Sequence, residues 1–197
     1  DLHFTIHSFP TRRSSDLYLA KEKLQQSLAL DFQPRHTYYY LGVVERELGN
    51  EERALEYFEK SVGQFEPYNL YLQLGTLYVS QDDLEKAKYY LNRFLSLGAE
   101  ESLQVRAQYF LATIAIKEND VDRASQFLEE ALARDPKFER AILLQGDIAR
   151  HKGNVQVAQE RWREALDIID QRLAQINQKL SNEIQLENYG ELKSEKE

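Results

Sequence analysis

The residues of this chain that could carry chemistry are few and scattered. Outside the first seventeen positions there are two histidines, His36 and His151, far apart and without a clustered carboxylate, so neither is placed as a base or ligand. Asp82-Asp83 and Glu51-Glu52 could pass for paired carboxylates. Both pairs stand where a helix is predicted to begin, where acids interact favourably with the helix dipole, so capping is the expected role. With no cysteine there is no thiol nucleophile, thiolate metal site or disulfide. No glycine-rich phosphate loop, nucleophile elbow or metal-ligand spacing occurs. The expectation is a protein without catalysis, metal or cofactor.

The elements around these residues are helical. Ala, Leu, Glu, Gln and Lys dominate the 197 residues, and four prolines and eight glycines leave long uninterrupted stretches. A hydrophobic share of 42% with 29% charged residues is enough for a sizeable core. The net charge of -8 repels a phosphate backbone and an anionic lipid surface, and no basic cluster offsets it, so nucleic acid is not an expected partner. No apolar run approaches the roughly 20 residues that cross a bilayer, so the chain as it stands is expected to be soluble; its compartment, cytoplasmic or periplasmic, is left open, with an upstream targeting sequence expected to be missing.

Asp1 to Leu17, DLHFTIHSFPTRRSSDL, lacks apolar periodicity and lacks the apolar middle and cleavage site of a secretory signal. It resembles the in-frame translation of a common short-read sequencing adapter: Asp1 to His3 match the outer part, Phe4 to Ile6 the variable index, and His7 to Leu17 the inner part. It is therefore expected to be non-native and disordered. The absence of methionine agrees with a chain that starts inside a longer reading frame.

From Tyr18 a unit repeats. A small residue is followed twelve positions later by alanine in Gly42 and Ala54, Gly75 and Ala87, Ala112 and Ala124, and Gly146 and Ala158. Two helices approach closely only where side chains are nearly absent, so each pair predicts a closely packed hairpin. Gly49-Asn50, Gln81-Asp82-Asp83, Asn119-Asp120 and Gly153-Asn154 punctuate the hairpins with left-handed conformers and N-cap oxygens. Alanine spacings of 34 (Ala20 to Ala54), 33 (to Ala87), 37 (to Ala124) and 34 (to Ala158) scatter around a ~34-residue period.

On these residues the chain resembles the tetratricopeptide repeat family from Tyr18 to about Ile168. Tyr38, Leu41, Gly42, Ala54, Phe58 and Ser61 fall at the family's characteristic positions, as do Tyr71, Leu74, Gly75, Tyr78, Ala87 and Leu91. Leu111, Ala112, Ala124, Leu128, Ala131 and Pro136 follow, then Gly146, Ala158, Trp162 and Ala165. Gln108 and Ile142 depart from an aromatic, Glu45 from a tyrosine and Phe94 from a small residue. Phe94 lies beside the insertion at Gly98 to Ser102, where an irregularity and an altered crossing of the second and third repeats are expected.

The resemblance implies an all-α protein, a right-handed α-solenoid of helical hairpins with a long C-terminal helix. The expected parts are 1–17, the adapter-like segment; 18–34, the second helix of a truncated repeat; and repeats at 35–67, 68–101, 102–137 and 138–168. A C-terminal helix at 169–187, continuous with the last repeat helix, and a charged, solvated tail at 188–197 complete the chain. The truncated repeat lacks the partner that would cover its apolar face, so fraying is expected at that end.

In such an array the first helix of each repeat lines a groove. That implies Tyr39, Tyr40 and Val43; Leu72, Gln73 and Thr76; Arg106, Tyr109, Phe110 and Thr113; and Arg140, Leu143, Leu144, Asp147 and Arg150. For Tyr40, Phe110 and Leu144, packing against the neighbouring helix stands equally with binding. Around an aromatic floor lie Arg46, Arg106, Lys117, Arg140 and Arg150 against Glu47 and Asp147, so the expected ligand is a protein or peptide segment with apolar and acidic side chains. Family members that clamp a C-terminal carboxylate use lysine, asparagine and arginine at positions here held by Tyr39, Val43, Asn69, Gln73, Arg106 and Phe110, so that clamp is not expected.

Leu166, Ile169, Leu173, Ile176 and Leu180, followed by Ile184, form one apolar stripe. It suits either a helix capping the last repeat or a seam joining two copies over 166–184. Three functional readings stay open: an interaction scaffold, an assembly subunit that oligomerises through this helix, and a regulatory region of a larger protein.

Overall fold

The computed structural model describes residues 14–30, 34–63, 65–98 and 100–194. Among them are nine α-helices and no strand: α1 (Ser14–Ala29), α2 (Pro34–Glu47), α3 (Glu51–Ser61), α4 (Leu70–Ser80), α5 (Leu84–Ser96), α6 (Glu101–Lys117), α7 (Val121–Arg134), α8 (Glu139–His151) and α9 (Val155–Ser194). The chain is all-α, of the α-solenoid class. It divides into two compact units, Asp1–Leu103 and Gln104–Glu197. In the first, α1 to α5 pack each on its neighbour in order, α1 on α2, α2 on α3, α3 on α4 and α4 on α5; in the second, α8 packs on both α7 and α9.

Four helix-to-helix turns share one geometry. Each places a left-handed residue seven positions after the small residue of the preceding helix: Gly49 (φ 82°), Asp82 (φ 63°), Asn119 (φ 61°) and Gly153 (φ 81°). The following amide reaches back to the helix carbonyl five residues earlier, Asn50 to Glu45, Asp83 to Tyr78, Asp120 to Ala115 and Asn154 to Ala149, at 2.8 to 3.0 Å. The left-handed residue itself donates to the carbonyl three back. These paired bonds satisfy carbonyls that a helix end leaves open. Asp83 and Asp120 then cap the next helix, accepting from the Lys86 and Arg123 amides.

The small residues work differently from the expectation of backbone meeting backbone. Ala54, Ala87, Ala124 and Ala158 are fully buried, but what occupies the space above each mid-helix glycine is a bulky side chain sixteen positions later. A Cβ on Gly42 would lie 2.6 Å from Phe58 Cδ1, and one on Gly75 would lie 2.7 Å from Leu91 Cγ; one on Gly146 would meet the Trp162 ring. Ala112 and Leu128 keep the same spacing within one buried cluster of the second unit. The hairpin is a side chain seated over a missing side chain, which keeps the two helices closely packed.

The departures from the family pattern are also accommodated. Phe94 and Ile142 are buried outright. Gln108, also buried, donates to Glu130 Oε2 at 2.8 Å and accepts from Arg134. Glu45 lies in the core, 2.8 Å from Lys21 Nζ on α1, and its other oxygen accepts from Asn50 Nδ2 at 2.8 Å.

The ends differ from the expected boundaries. α1 begins at Ser14, so Ser14 to Leu17 of the adapter-like segment are helical, with Asp16 in the first turn; 1–13 lie outside the described residues. α9 continues through Gly190 to Ser194, where the tail was expected to leave the helix at Asn188. A lone glycine costs a helix about 1 kcal/mol, a penalty insufficient here to end it.

Gly42→Ala should destabilise the first unit by about 1–3 kcal/mol by overpacking, and Phe58→Leu in the same chain should recover part of the loss, read by denaturant unfolding. Lys21→Ala removes the partner of a buried carboxylate, at a cost of up to ~3 kcal/mol. Its amide exchange should accelerate across α1 more than across α4 or α5.

Candidate binding faces

In the first unit the expected groove residues divide between core and surface. Tyr39 is only 7% exposed, and Leu72 and Thr76 are buried as well, so these three belong to packing and offer a partner no surface. The cause is α4, on which nine of eleven residues are buried. A helix apolar on nearly all sides is enclosed on nearly all sides. The Tyr39 hydroxyl donates to Asn69 Oδ1 at 2.7 Å, and its ring packs edge-on to Tyr40 and Phe65. Val43, Tyr40 and Gln73 are half-buried. Arg46 and Glu47 already have partners.

Two participants were not expected. His36 stacks on Phe65 with ring centroids 3.9 Å apart, so it is part of an aromatic cluster rather than a plain surface residue. Phe65 lies in the loop after α3, where helical periodicity carries no information. An aromatic just before Pro67 in an otherwise polar turn was the available signal.

The second unit presents a more open face on α6 and α8. Tyr109 and Phe110 are half-buried and stand edge to face, and Phe138 closes on Tyr109 from the loop before α8. The Arg140 guanidinium lies 4.7 Å from the Tyr109 ring centroid and 5.9 Å from that of Phe110. Arg106 and Arg140 are exposed, Leu143 and Leu144 are half-buried, and Asp147 is exposed. No carboxylate pairs with Arg106 or Arg140 among the described residues. Arg150, also exposed, turns its guanidinium to Trp162 on α9 at 5.4 Å. Thr113 gives its hydroxyl to the Tyr109 carbonyl of its own helix, and Lys117 already has a partner.

A guanidinium attracted to a ring face carries more N–H groups than that contact uses, and a guanidinium can grip a carboxylate with two parallel hydrogen bonds. Among the described residues there is no group of three or more His, Asp or Glu able to hold a metal, and no helix long and apolar enough to cross a membrane.

A family model described as a tetratricopeptide repeat-like domain matches residues 41–185. The chain belongs to that family. Solved tetratricopeptide structures share the fold. MamA aligns at a TM-score of 0.69 and 22% identity, covering 82% of this chain and 93% of its own. YrrB, described as a TPR protein with an unusual peptide-binding site, gives 0.65 and 26%, covering 84% and 85%. A MamA chain from Desulfovibrio magneticus RS-1 gives 0.61 and 15%, covering 79% and 96%. No curated protein matches in sequence.

In this tetratricopeptide chain ten of the twelve tyrosines lie before Gln104, at 18, 38, 39, 40, 57, 68, 71, 78, 89 and 90. Burial pushes Tyr39 up to about 12. Burial also raises Tyr71, Tyr78 and Tyr90. A neutral phenol favoured by the fold stabilises it fully below the ordinary value near 10, and that contribution is lost as pH rises through the folded value. Stability should therefore fall between about pH 10 and 12, Tyr39 alone accounting for about 2–3 kcal/mol. Tyr39→Phe should start lower by roughly 1 kcal/mol through the lost hydrogen bond but decline less over that window, measured by urea unfolding at stepped pH.

Proposed function

We propose that this chain is a non-enzymatic protein-interaction module, and that the α6–α8 face receives a peptide or helical segment carrying apolar and acidic side chains. The observation that carries this is Arg140, exposed, stacked over Tyr109 and Phe110 and free of any carboxylate partner among the described residues. Arg106, equally exposed, sits at the equivalent position of the preceding repeat. Two exposed guanidiniums, that of Arg140 against half-buried aromatics, on a protein of net charge -8, form a local site of opposite sign to the whole. Tyrosine and arginine are also the residues that most often anchor interfaces.

The ligand follows from these groups. Carboxylates at a spacing that reaches both arginines provide orientation, and an apolar side chain between them covers Phe110 and Leu143. Membership of the repeat family and the peptide-binding site described for YrrB support a peptide as the ligand class.

A displayed library of random peptides panned against the full chain should enrich sequences combining Asp or Glu with Leu, Ile or Phe. Arg106→Glu with Arg140→Glu should weaken the selected peptides by roughly 100-fold, about 1–2 kcal/mol for each lost charged contact. Selection without acidic preference, or unchanged affinity in the double variant, would count against this face.

A further inference from the structure

We propose that α9 pairs side by side and in parallel with α9 of a second copy of this chain, through Leu166, Leu173, Ile176 and Leu180. These four side chains are 55%, 52%, 53% and 53% exposed, spaced seven, three and four residues apart, with Ile169 completing the alternation between the first two. That is the spacing of a left-handed two-helix seam. The capping alternative is met by other residues of the same helix, since Ala158 and Ala165 are fully buried and Trp162 covers Gly146 of α8.

Two observations show that the stripe lies where a helix belongs. Leu132 of α7 is the counterpart of Leu166 thirty-four residues earlier, and it is partly covered within the cluster that includes Ala141 of α8. The repeat therefore places a following helix over this position, and among the described residues nothing covers Leu166. Beyond the ion pair of Arg172 with Glu139, the first residue of α8, every residue from 173 to 182 is exposed. The stretch from Leu173 to Ser194 is about 33 Å of helix, and in proteins most of a helix's stability comes from packing of its apolar face.

Charge selects the partner and its direction. In a parallel pair the residues flanking the seam include Arg172 opposite Asn177, which brings no like charges together. Antiparallel, with Leu173 opposite Ile176, the same helices would set Arg172 against Lys179. Four side chains about half exposed supply much less contact than the ~800 Å² per partner of a standard interface. The pairing is accordingly weak and dependent on concentration.

Sedimentation equilibrium of the full chain from micromolar to near-millimolar concentration should show a monomer–dimer equilibrium. Leu173→Lys with Leu180→Lys, both at exposed positions, should weaken it at least ~100-fold by juxtaposing like charges, while the unfolding midpoint stays unchanged. Because the chain has no cysteine, Leu166→Cys and Leu180→Cys can each be oxidised cleanly, and each should form a disulfide with its own counterpart. A monomer at every concentration, a dimer that survives the lysine pair, or failure of either cysteine to cross-link would overturn the proposal.

Discussion

Each hairpin depends on one contact, a bulky side chain of the second helix seated where the first helix has almost none. Phe58 over Gly42, Leu91 over Gly75 and Trp162 over Gly146 set how closely two helices approach. A fixed approach needs a turn of fixed length. The left-handed residue at position seven, the returning amide at eight, the alanine at twelve and the bulky residue at sixteen are therefore one constraint distributed along the chain. Glycine inside a helix sacrifices about 1 kcal/mol of intrinsic preference, a small loss beside what a Phe or Leu gains by complete burial.

Placing the core between paired helices leaves the remaining face of each first helix free to vary, and the two units use that freedom in opposite ways. In the first unit it is turned inward: α4 is enclosed, Tyr39 is tied to Asn69, and His36, Tyr40 and Phe65 complete an aromatic cluster. In the second unit α6 and α8 keep polar residues on that side, where Arg106 is exposed and Arg140 stands over half-buried rings.

This contrast explains how much was legible before the structure. The repeat spacing and turn residues specified the hairpins because they are backbone requirements: left-handed φ at Gly49 and Gly153, and absent side chains at Gly42 and Gly146. Groove positions followed from helical angle alone, which is why Leu72 and Thr76 were assigned to a surface they do not reach. The apolar run of α4, LYLQLGTLYV, carried the warning, since such a helix has no wet side. Phe65 and Phe138 escaped notice because both lie in loops, where no periodicity exists. The C-terminal stripe was visible as a pattern, but choosing between cap and seam required the exposure of Leu173, Ile176 and Leu180, a tertiary quantity.

Glu45 shows how a departure from the repeat pattern is absorbed. A carboxylate in the core needs its charge answered, and here Lys21 stands 2.8 Å from one oxygen while Asn50 donates to the other. The residue thus joins three elements, α1, α2 and the turn into α3, with one side chain. Because Glu45 is almost wholly removed from water, this attraction is screened by salt far less than the exposed Lys60–Glu56 pair. The exposed arginines of the α6–α8 face lie at the other extreme, where ionic strength acts in full. Salt therefore separates the two uses of charge in this chain: the recognition proposed for Arg106 and Arg140 would weaken at concentrations that leave α1 docked on α2.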